Sequence, residues 1–298
     1  VSWRLPVGDW IERVVEFVLA NFGALLAAVS FVVGGVTLFV ERLLLSIPAW
    51  LLTLVICAIA WSRVGARFTV FTALAIAVVA GMGLWAETMA TLALVLSATL
   101  LSLLIGLPLG VLAAKRARAE RALRPLLDFM QTMPAFVYLI PAVMFFGLGR
   151  VPGTIATIIF CMPPAVRLTT LGIRGVPTDL VEAGLAFGCT PRQLLAKVEL
   201  PQALPSIMAG INQSTMLALS MVVIASMIGA GGLGNEVLRA IQRLDVGLGF
   251  ESGLAVVVLA IVLDRISQSF GERGRGDLRR RVRRVFDRVL SGLGRGPR

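Results

Sequence analysis

The sequence predicts an all-α polytopic membrane protein, a helical bundle of seven or eight transmembrane spans. Three observations carry that expectation: 57% of the 298 residues are hydrophobic, only 15% are charged, and the apolar residues fall in long runs. Soluble domains average roughly 45–50% apolar and about 25% charged residues, and a larger core does not account for the shift because a folded surface still needs polar cover. A helix needs about 20 apolar residues to cross the hydrocarbon layer, which is the scale of these runs. In lipid only helices and closed barrels satisfy every backbone group internally, and the runs lack the alternation of barrel strands.

The runs can be taken in order. The first, 18–40, is followed by Glu41, Arg42 and then Pro48, so it reads either as a span or as a helix lying on the membrane surface. Residues 43–61 end in Trp61 with Arg63 just beyond, and 68–85 follow after a short basic turn. Runs 88–114, 135–148, 154–171, 204–228 and 254–270 complete the set. Gly106 and Gly110 form a G-x-x-x-G pattern within 88–114, read as close packing of helices rather than a dimer face. The first run lacks an A-x-A-like exit, so a cleavable signal peptide is not expected. This divides the chain into an N-terminal segment 1–86 with two or three membrane helices, a transport domain 87–270 and a basic tail 271–298.

Formal charge is +11, which on a soluble protein would suggest nucleic-acid binding. Here the basic residues lie between or after apolar runs, where they set orientation, and no nucleic-acid partner is expected. Lys115, Arg116, Arg118, Arg121 and Arg124 form one cluster, Arg174, Arg192 and Lys197 a second, and the tail after Arg265 a third. Even numbers of spans separate them, so all three and the C-terminus face the cytoplasm, while Glu87, Arg150 and 235–249 face outward. The chain has no histidine and three scattered cysteines, which leaves no His-based triad, metal-ligand spacing or disulfide framework. No G-x-x-x-x-G-K-[ST] loop occurs, so the chain has no phosphate cradle and no cofactor of its own; ATP-driven transport would require an ATPase on another chain.

The loop 177–201 is the most informative segment. Asp179 and Glu182 are spaced as a capping box at a helix start, and Gly188 stands where a left-handed C′ residue would end that helix. A second start follows, with Thr190 as N-cap, Pro191 at N1 and Gln193 at N3. This second helix is expected to stop by Pro201. It carries Leu194, Leu195 and Val198 on one face, which either packs against the chain's own helix ends or awaits a partner surface.

The spacing of this loop adds a resemblance. Glu182-Ala183-Gly184, three residues, Gly188, nine residues, Val198, one residue, Leu200-Pro201 resembles the E-A-A loop of ABC-importer permeases, with Gly184 and Val198 departing from the usual Ala and Ile. The resemblance implies the type I ABC importer transmembrane fold. It further implies that Glu182, Ala183, Gly184, Gly188, Val198, Leu200 and Pro201 dock into a cleft on a cytoplasmic ATPase subunit and relay its closure to the membrane helices. The segments 131–141 and 218–229, with Gly231-Gly232-Leu233-Gly234 and Leu263-Asp264-Arg265, are similar to the glycine betaine/proline betaine permeases of osmoprotectant importers. That similarity implies a quaternary-ammonium compatible solute, with choline importers close relatives. It also implies delivery by an extracellular or periplasmic solute-binding protein, a homodimer of permeases, and a bacterial cell (inner) membrane.

Other features admit two readings each. Asn212, Gln213, Ser214, Thr215 and Ser220 lie in an apolar run and either hydrogen-bond between helices or line a pathway. Phe136 and Tyr138, the only tyrosine, either offer ring faces to a quaternary ammonium or serve as packing anchors. Gly229-Ala230-Gly231-Gly232-Leu233-Gly234 matches G-x-G-x-x-G without a strand before it, and so reads as a tight outer turn. In the tail, Arg279, Arg280, Arg281, Arg283 and Arg284 flank an apolar stripe, as in a helix contacting anionic lipid or a solvated positive-inside anchor. A stand-alone secondary transporter or channel is the alternative function. The few ionisable groups within the runs weigh against it, since Arg167 and Asp264 sit near span ends.

Overall fold

The computed structural model describes the backbone of residues 7–293 and the side chains of residues 8–270. All regular elements among the described residues are helical. In order they are α1 (Val7–Ser46), α2 (Ala49–Arg63), α3 (Ala66–Gly81), α4 (Trp85–Lys115) and α5 (Ala117–Thr132). A 3-10 turn (Ala135–Tyr138) leads into α6 (Leu139–Phe146), α7 (Arg150–Arg174), α8 (Thr178–Ala186) and α9 (Pro191–Leu194). A π-helical stretch (Leu195–Glu199) then continues into α10 (Leu200–Ser226), followed by α11 (Leu233–Arg243) and α12 (Val246–Leu293).

Five helical stretches are long and apolar enough to cross a membrane: Gly8–Ser46, Trp85–Lys115, Arg150–Arg174, Pro191–Ser226 and Val246–Phe270. The pair α5 and α6, bent by 110°, makes a sixth if it counts as one broken span. The expected seven or eight spans are therefore not confirmed. Pro48 and Gly65, the latter at φ +127°, cut the run between α1 and α4 into helices of 15 and 16 residues, short of the ~20 that a span requires. Apolar content alone does not reveal such cuts. The α2–α3 turn nevertheless reaches far along α12, where the Arg63 guanidinium lies 4.1 Å from the centre of the Phe270 ring.

The core is built by α4, α7 and α10, which approach closely because small residues line their contacts. Lipid offers no hydrophobic gain for helix association, so close van der Waals contact has to supply it. A Cβ at Gly110 would lie 2.6 Å from the Thr169 Cβ and 2.8 Å from the Val166 carbonyl oxygen, and one at Gly106 would lie 3.2 Å from the Ala165 Cβ. The G-x-x-x-G pattern thus seats α4 on α7 within the chain. Gly172 and Gly210 bring α10 against α7 in the same way, a Cβ at Gly172 lying 2.7 Å from the Ser206 Cβ. Around this core α1 packs along α4 and α7, and α12 packs along α10 and α11.

At the end of the bundle where α7 begins, Arg150 pairs with the buried Glu41 of α1. Gly229, Gly231 and Gly232 all have positive φ there, forming the tight turn read from the sequence. That turn is pinned by the Leu233 N–H, which donates to the Thr91 hydroxyl at 2.8 Å. The opposite end carries Lys115, Arg174 and the loop 177–201, and is where the site lies.

Candidate functional site

The site is the paired-helix loop between α7 and α10, and its local chemistry explains its shape. Pro177 is the N-cap of α8 and no side chain caps the helix, so the expected box between Asp179 and Glu182 does not form. Asp179 instead lies in the first turn, where a carboxylate meets the positive end of the helix dipole. The C-terminus of α8 matches expectation. Gly188 has φ +76°, its N–H donates to Leu185 O at 2.9 Å, and the Cys189 N–H donates to Gly184 O at 3.0 Å. This is the paired bonding of a Schellman stop. The second box forms as read: the Thr190 N–H donates to Gln193 Oε1 at 2.9 Å and the Gln193 N–H to Thr190 Oγ1 at 3.4 Å.

Pro201 does not end the second helix. The chain widens into the π-helical stretch, where the Leu200 N–H reaches back five residues to Leu195 O, and then runs unbroken into α10. Pro201 has no N–H to give to the carbonyl four residues back and its ring would crowd that group; at the first turn of a new α-helical segment neither matters. The loop is thereby continuous with a core helix. Its junction is held by Glu199, which is buried and pairs with Lys115 at the end of α4.

The apolar face of the second helix packs against the chain itself. Leu194 is buried, Leu195 lies against Ile173, Ala203 and Ile207, and a Cβ at Gly184 would stand 2.7 Å from Leu194 Cδ1 and 3.5 Å from Val198 Cγ2. Gly184, the departure from the usual alanine, is therefore the point where α8 crosses the second helix. The exposed surface belongs to α8, where Glu182 and Ala183 are open, Leu180 and Leu185 are 40% and 53% exposed, and Phe187 is 89% exposed. Val198, Leu200 and Pro201 are partly buried and form the base of the loop.

Arg174 ties this end together. Its guanidinium donates to the carbonyls of Ala113 (2.9 Å) and Ala114 (3.3 Å) and to the Glu120 carboxylate (2.6 Å), joining the end of α7 to α4 and α5. Arg167 pairs with Asp128 of α5. In the sequence Lys115 and Arg174 are orienting charges and Arg167 lies near a span end, where snorkelling or helix-end pairing would account for it. The acids they meet, Glu199, Glu120 and Asp128, lie in the stretches between the apolar runs.

The polar residues of α10 divide between the two readings. The Asn212 amide donates to Asp264 Oδ1 at 3.0 Å and its oxygen accepts from the Ser267 hydroxyl, so Asn212 joins α10 to α12. Thr215 and Ser220 donate to carbonyls one turn back, at 2.9 and 3.0 Å. Ser214 is buried, while Gln213 and Ser220 are exposed on a common face of α10. Tyr138 is buried, donates its hydroxyl to the Met130 carbonyl and meets the Phe160 ring edge-on at 5.8 Å, which makes it a packing anchor. Phe136 is 51% exposed beside the break between α5 and α6. Arg279, Arg280, Arg281, Arg283 and Arg284 lie outside the residues whose side chains are described.

A chain of apolar spans with a stiff loop continuous with its core is the form of a transporter's membrane subunit, and the comparisons agree. Residues 106–274 match the family described as the binding-protein-dependent transport system inner membrane component, and the chain belongs to that family. It is a permease subunit of the ABC importer class, with the ATPase on a separate subunit. Its relatives include the glycine betaine/proline betaine transport system permease protein of Escherichia coli (strain K12), 50% identical over 92% of this chain and 78% of that protein. The glycine betaine transport system permease protein of Bacillus subtilis (strain 168) is 46% identical over 89% of this chain and 94% of that protein. Among solved structures, an inward-facing methionine ABC transporter, MetNI, superposes with a TM-score of 0.56 at 25% identity, covering 65% of this chain and 95% of that one.

Proposed function

We propose that this permease imports a quaternary-ammonium compatible solute of the glycine betaine class, received from an external solute-binding protein. Two copies assemble in the bacterial inner membrane, each engaging one ATPase chain through the loop 177–201. The names of the relatives support the solute class. The gathering of Lys115, Arg116, Arg174, Arg192 and Lys197 at one end supports a cytoplasmic face there, and with it a cytoplasmic C-terminus.

The observation that carries the reading is the exposed face of α8, with Glu182, Ala183 and a Phe187 that is 89% open on a helix stopped by a Schellman turn. A large aromatic held out on a stiff support is the anchor type that dominates interfaces. Motion received there passes to the second helix where α8 crosses it at Gly184 and Leu194, and from there through the π-helical stretch into α10. Gln213 and Ser220 on the open face of α10, with Phe136 at the broken span, are the pathway-lining residues of this proposal. Residues 87–270 form the transport unit, 1–86 flank it, and the tail arginines contact anionic lipid.

Co-reconstitution with the ATPase and binding protein in liposomes tests the reading. Labelled glycine betaine should accumulate only with ATP inside. Glu182→Lys should leave ATP hydrolysis running while uptake falls at least tenfold. Uptake that persists without the ATPase overturns the proposal.

A further inference from the structure

Between α4, α5 and α7, at the end carrying the loop 177–201, lies an open cleft of about 420 Å³. Its charged lining is Glu120, Arg124, Asp128, Arg167 and Arg174, and its walls include Leu127, Val166 and Leu171. The ion pairs Arg167–Asp128 and Arg174–Glu120 cross it from α7 to α5. They differ from the other ion pairs among the described residues. Where Lys115, Arg150 and Arg239 pair, the acid is only 8–12% exposed, whereas every member of the two cleft pairs is at least 34% exposed. Arg124 adds a third cation to the lining with no ion-pair partner among the described residues.

We infer that this cleft is a weak binding site for a zwitterion, with Arg167 and Arg124 taking its anionic group and Asp128 its cationic group. The pairing itself selects that class. An anion entering between Arg167 and Asp128 would exchange one ion pair for another and leave the carboxylate with solvent alone, and a cation would leave Arg167 so. A zwitterion replaces one ion pair by two and leaves every charge matched. Both groups are already half open, so exchange of partners does not require dragging a buried charge through the core. Leu123 and the 64% exposed Leu171 offer the apolar surface that methyl groups on an ammonium would cover. Arg167 lies two helical turns from Arg174 at the helix end, so a solute held there has left the middle of the bundle. The cleft fits a last station before release, a role that rests on the import reading above. The same charges occur in a zwitterionic phospholipid headgroup, and the test separates the two sources.

The full chain with its ATPase partner, without the binding protein, is placed in nanodiscs of phosphatidylglycerol, and saturation transfer to the methyl groups of glycine betaine is read by NMR. Transfer is expected, about tenfold weaker for choline, which carries the cation alone, and insensitive to acetate. Arg167→Gln and Asp128→Asn should each lower it at least tenfold. The exchanged pair Asp128→Arg with Arg167→Asp should recover part of the signal, which separates lost recognition from lost folding. Equal transfer in all variants, or equal transfer to choline, overturns the inference. In nanodiscs containing phosphatidylethanolamine, loss of the signal assigns the cleft to a headgroup, and an undiminished signal assigns it to a free solute. Wild-type uptake of glycine betaine without cleft-dependent transfer overturns this inference alone. Absence of uptake for any quaternary-ammonium solute overturns the import reading, and the cleft is then judged by the same transfer measurement with proline.

Discussion

The α4–α7–α10 core and the loop 177–201 both depend on glycine, but for opposite reasons. In the core Gly110 has ordinary helical backbone, and what matters is the missing Cβ, whose place is occupied by Thr169 and the Val166 carbonyl. In the loop Gly188 has open space around its Cβ position, and what matters is φ +76°. At Gly110 the core is therefore intolerant of volume, and at Gly188 the loop is intolerant of backbone chirality. The first kind of constraint holds spans together in lipid, where packing must substitute for hydrophobic gain. The second holds a small element in shape with few neighbours, so that it can present a surface and still move as a body.

The sharpest way to break this contrast is to exchange the two demands. Gly110→Val places methyl groups where a side chain and a backbone carbonyl already sit, and neither can yield without moving α7. Overpacking typically costs about 1–3 kcal/mol, and contact with backbone puts this site at about 3. The expected result is loss of monodisperse protein on extraction, read by size exclusion, with Gly110→Ala intermediate. A Gly110→Val variant that purifies and melts like the parent would mean that α4 and α7 are less closely seated.

Gly188→Ala should act more mildly and elsewhere. A left-handed non-glycine residue costs roughly 1–2 kcal/mol, confined here to the end of α8. Extraction and melting should be near normal, while amide exchange across 184–189 should rise about tenfold, since 1.4 kcal/mol is a factor of ten. Thr190→Ala, which removes an N-cap, should raise exchange across 191–195 less, by about fivefold for ~1 kcal/mol. If either change instead lowered the global melting temperature by as much as Gly110→Ala, the loop would be part of the core and not an appended lever.

What could be read in advance follows the same division. Gly188 and the Thr190–Pro191–Gln193 start were legible because caps are decided by residues within three or four positions. The helical class and the α4–α7 seam at Gly106 and Gly110 were legible because composition and small-residue spacing carry them. The box at Asp179 and Glu182 failed where Pro177 takes the cap position, and the stop at Pro201 failed because a π-helical stretch absorbs the proline. Both are choices between local options settled by what the helix packs on. The direction of the apolar stripe Leu194, Leu195 and Val198 was not set by the helix that carries it, since Gly184 of α8 and the α7–α10 contact cover it. The ion pairs of Lys115, Arg167 and Arg174 are likewise long-range, and only the fold brings their acids near.

The smallest structural effect carries the most functional meaning. Phe187 is 89% exposed, so Phe187→Ser removes no packed contact and should change stability by less than about 0.5 kcal/mol, with melting and 184–189 exchange unaltered. Under the proposed docking, however, it deletes the aromatic anchor of the α8 face. Co-purification of the ATPase should weaken at least tenfold, and uptake should fall with it. Glu182→Lys, one turn and a half earlier on α8, would then uncouple without releasing the ATPase, because a rim charge steers and registers an interface more than it holds it. The two variants together distinguish a lever from a mere attachment point. If Phe187→Ser retains both ATPase and uptake, the open face of α8 is not the docking surface. The rigid continuity from Thr190 through the π-helical stretch into α10 would then have to be driven from the other side of the loop, at Arg192 and Lys197.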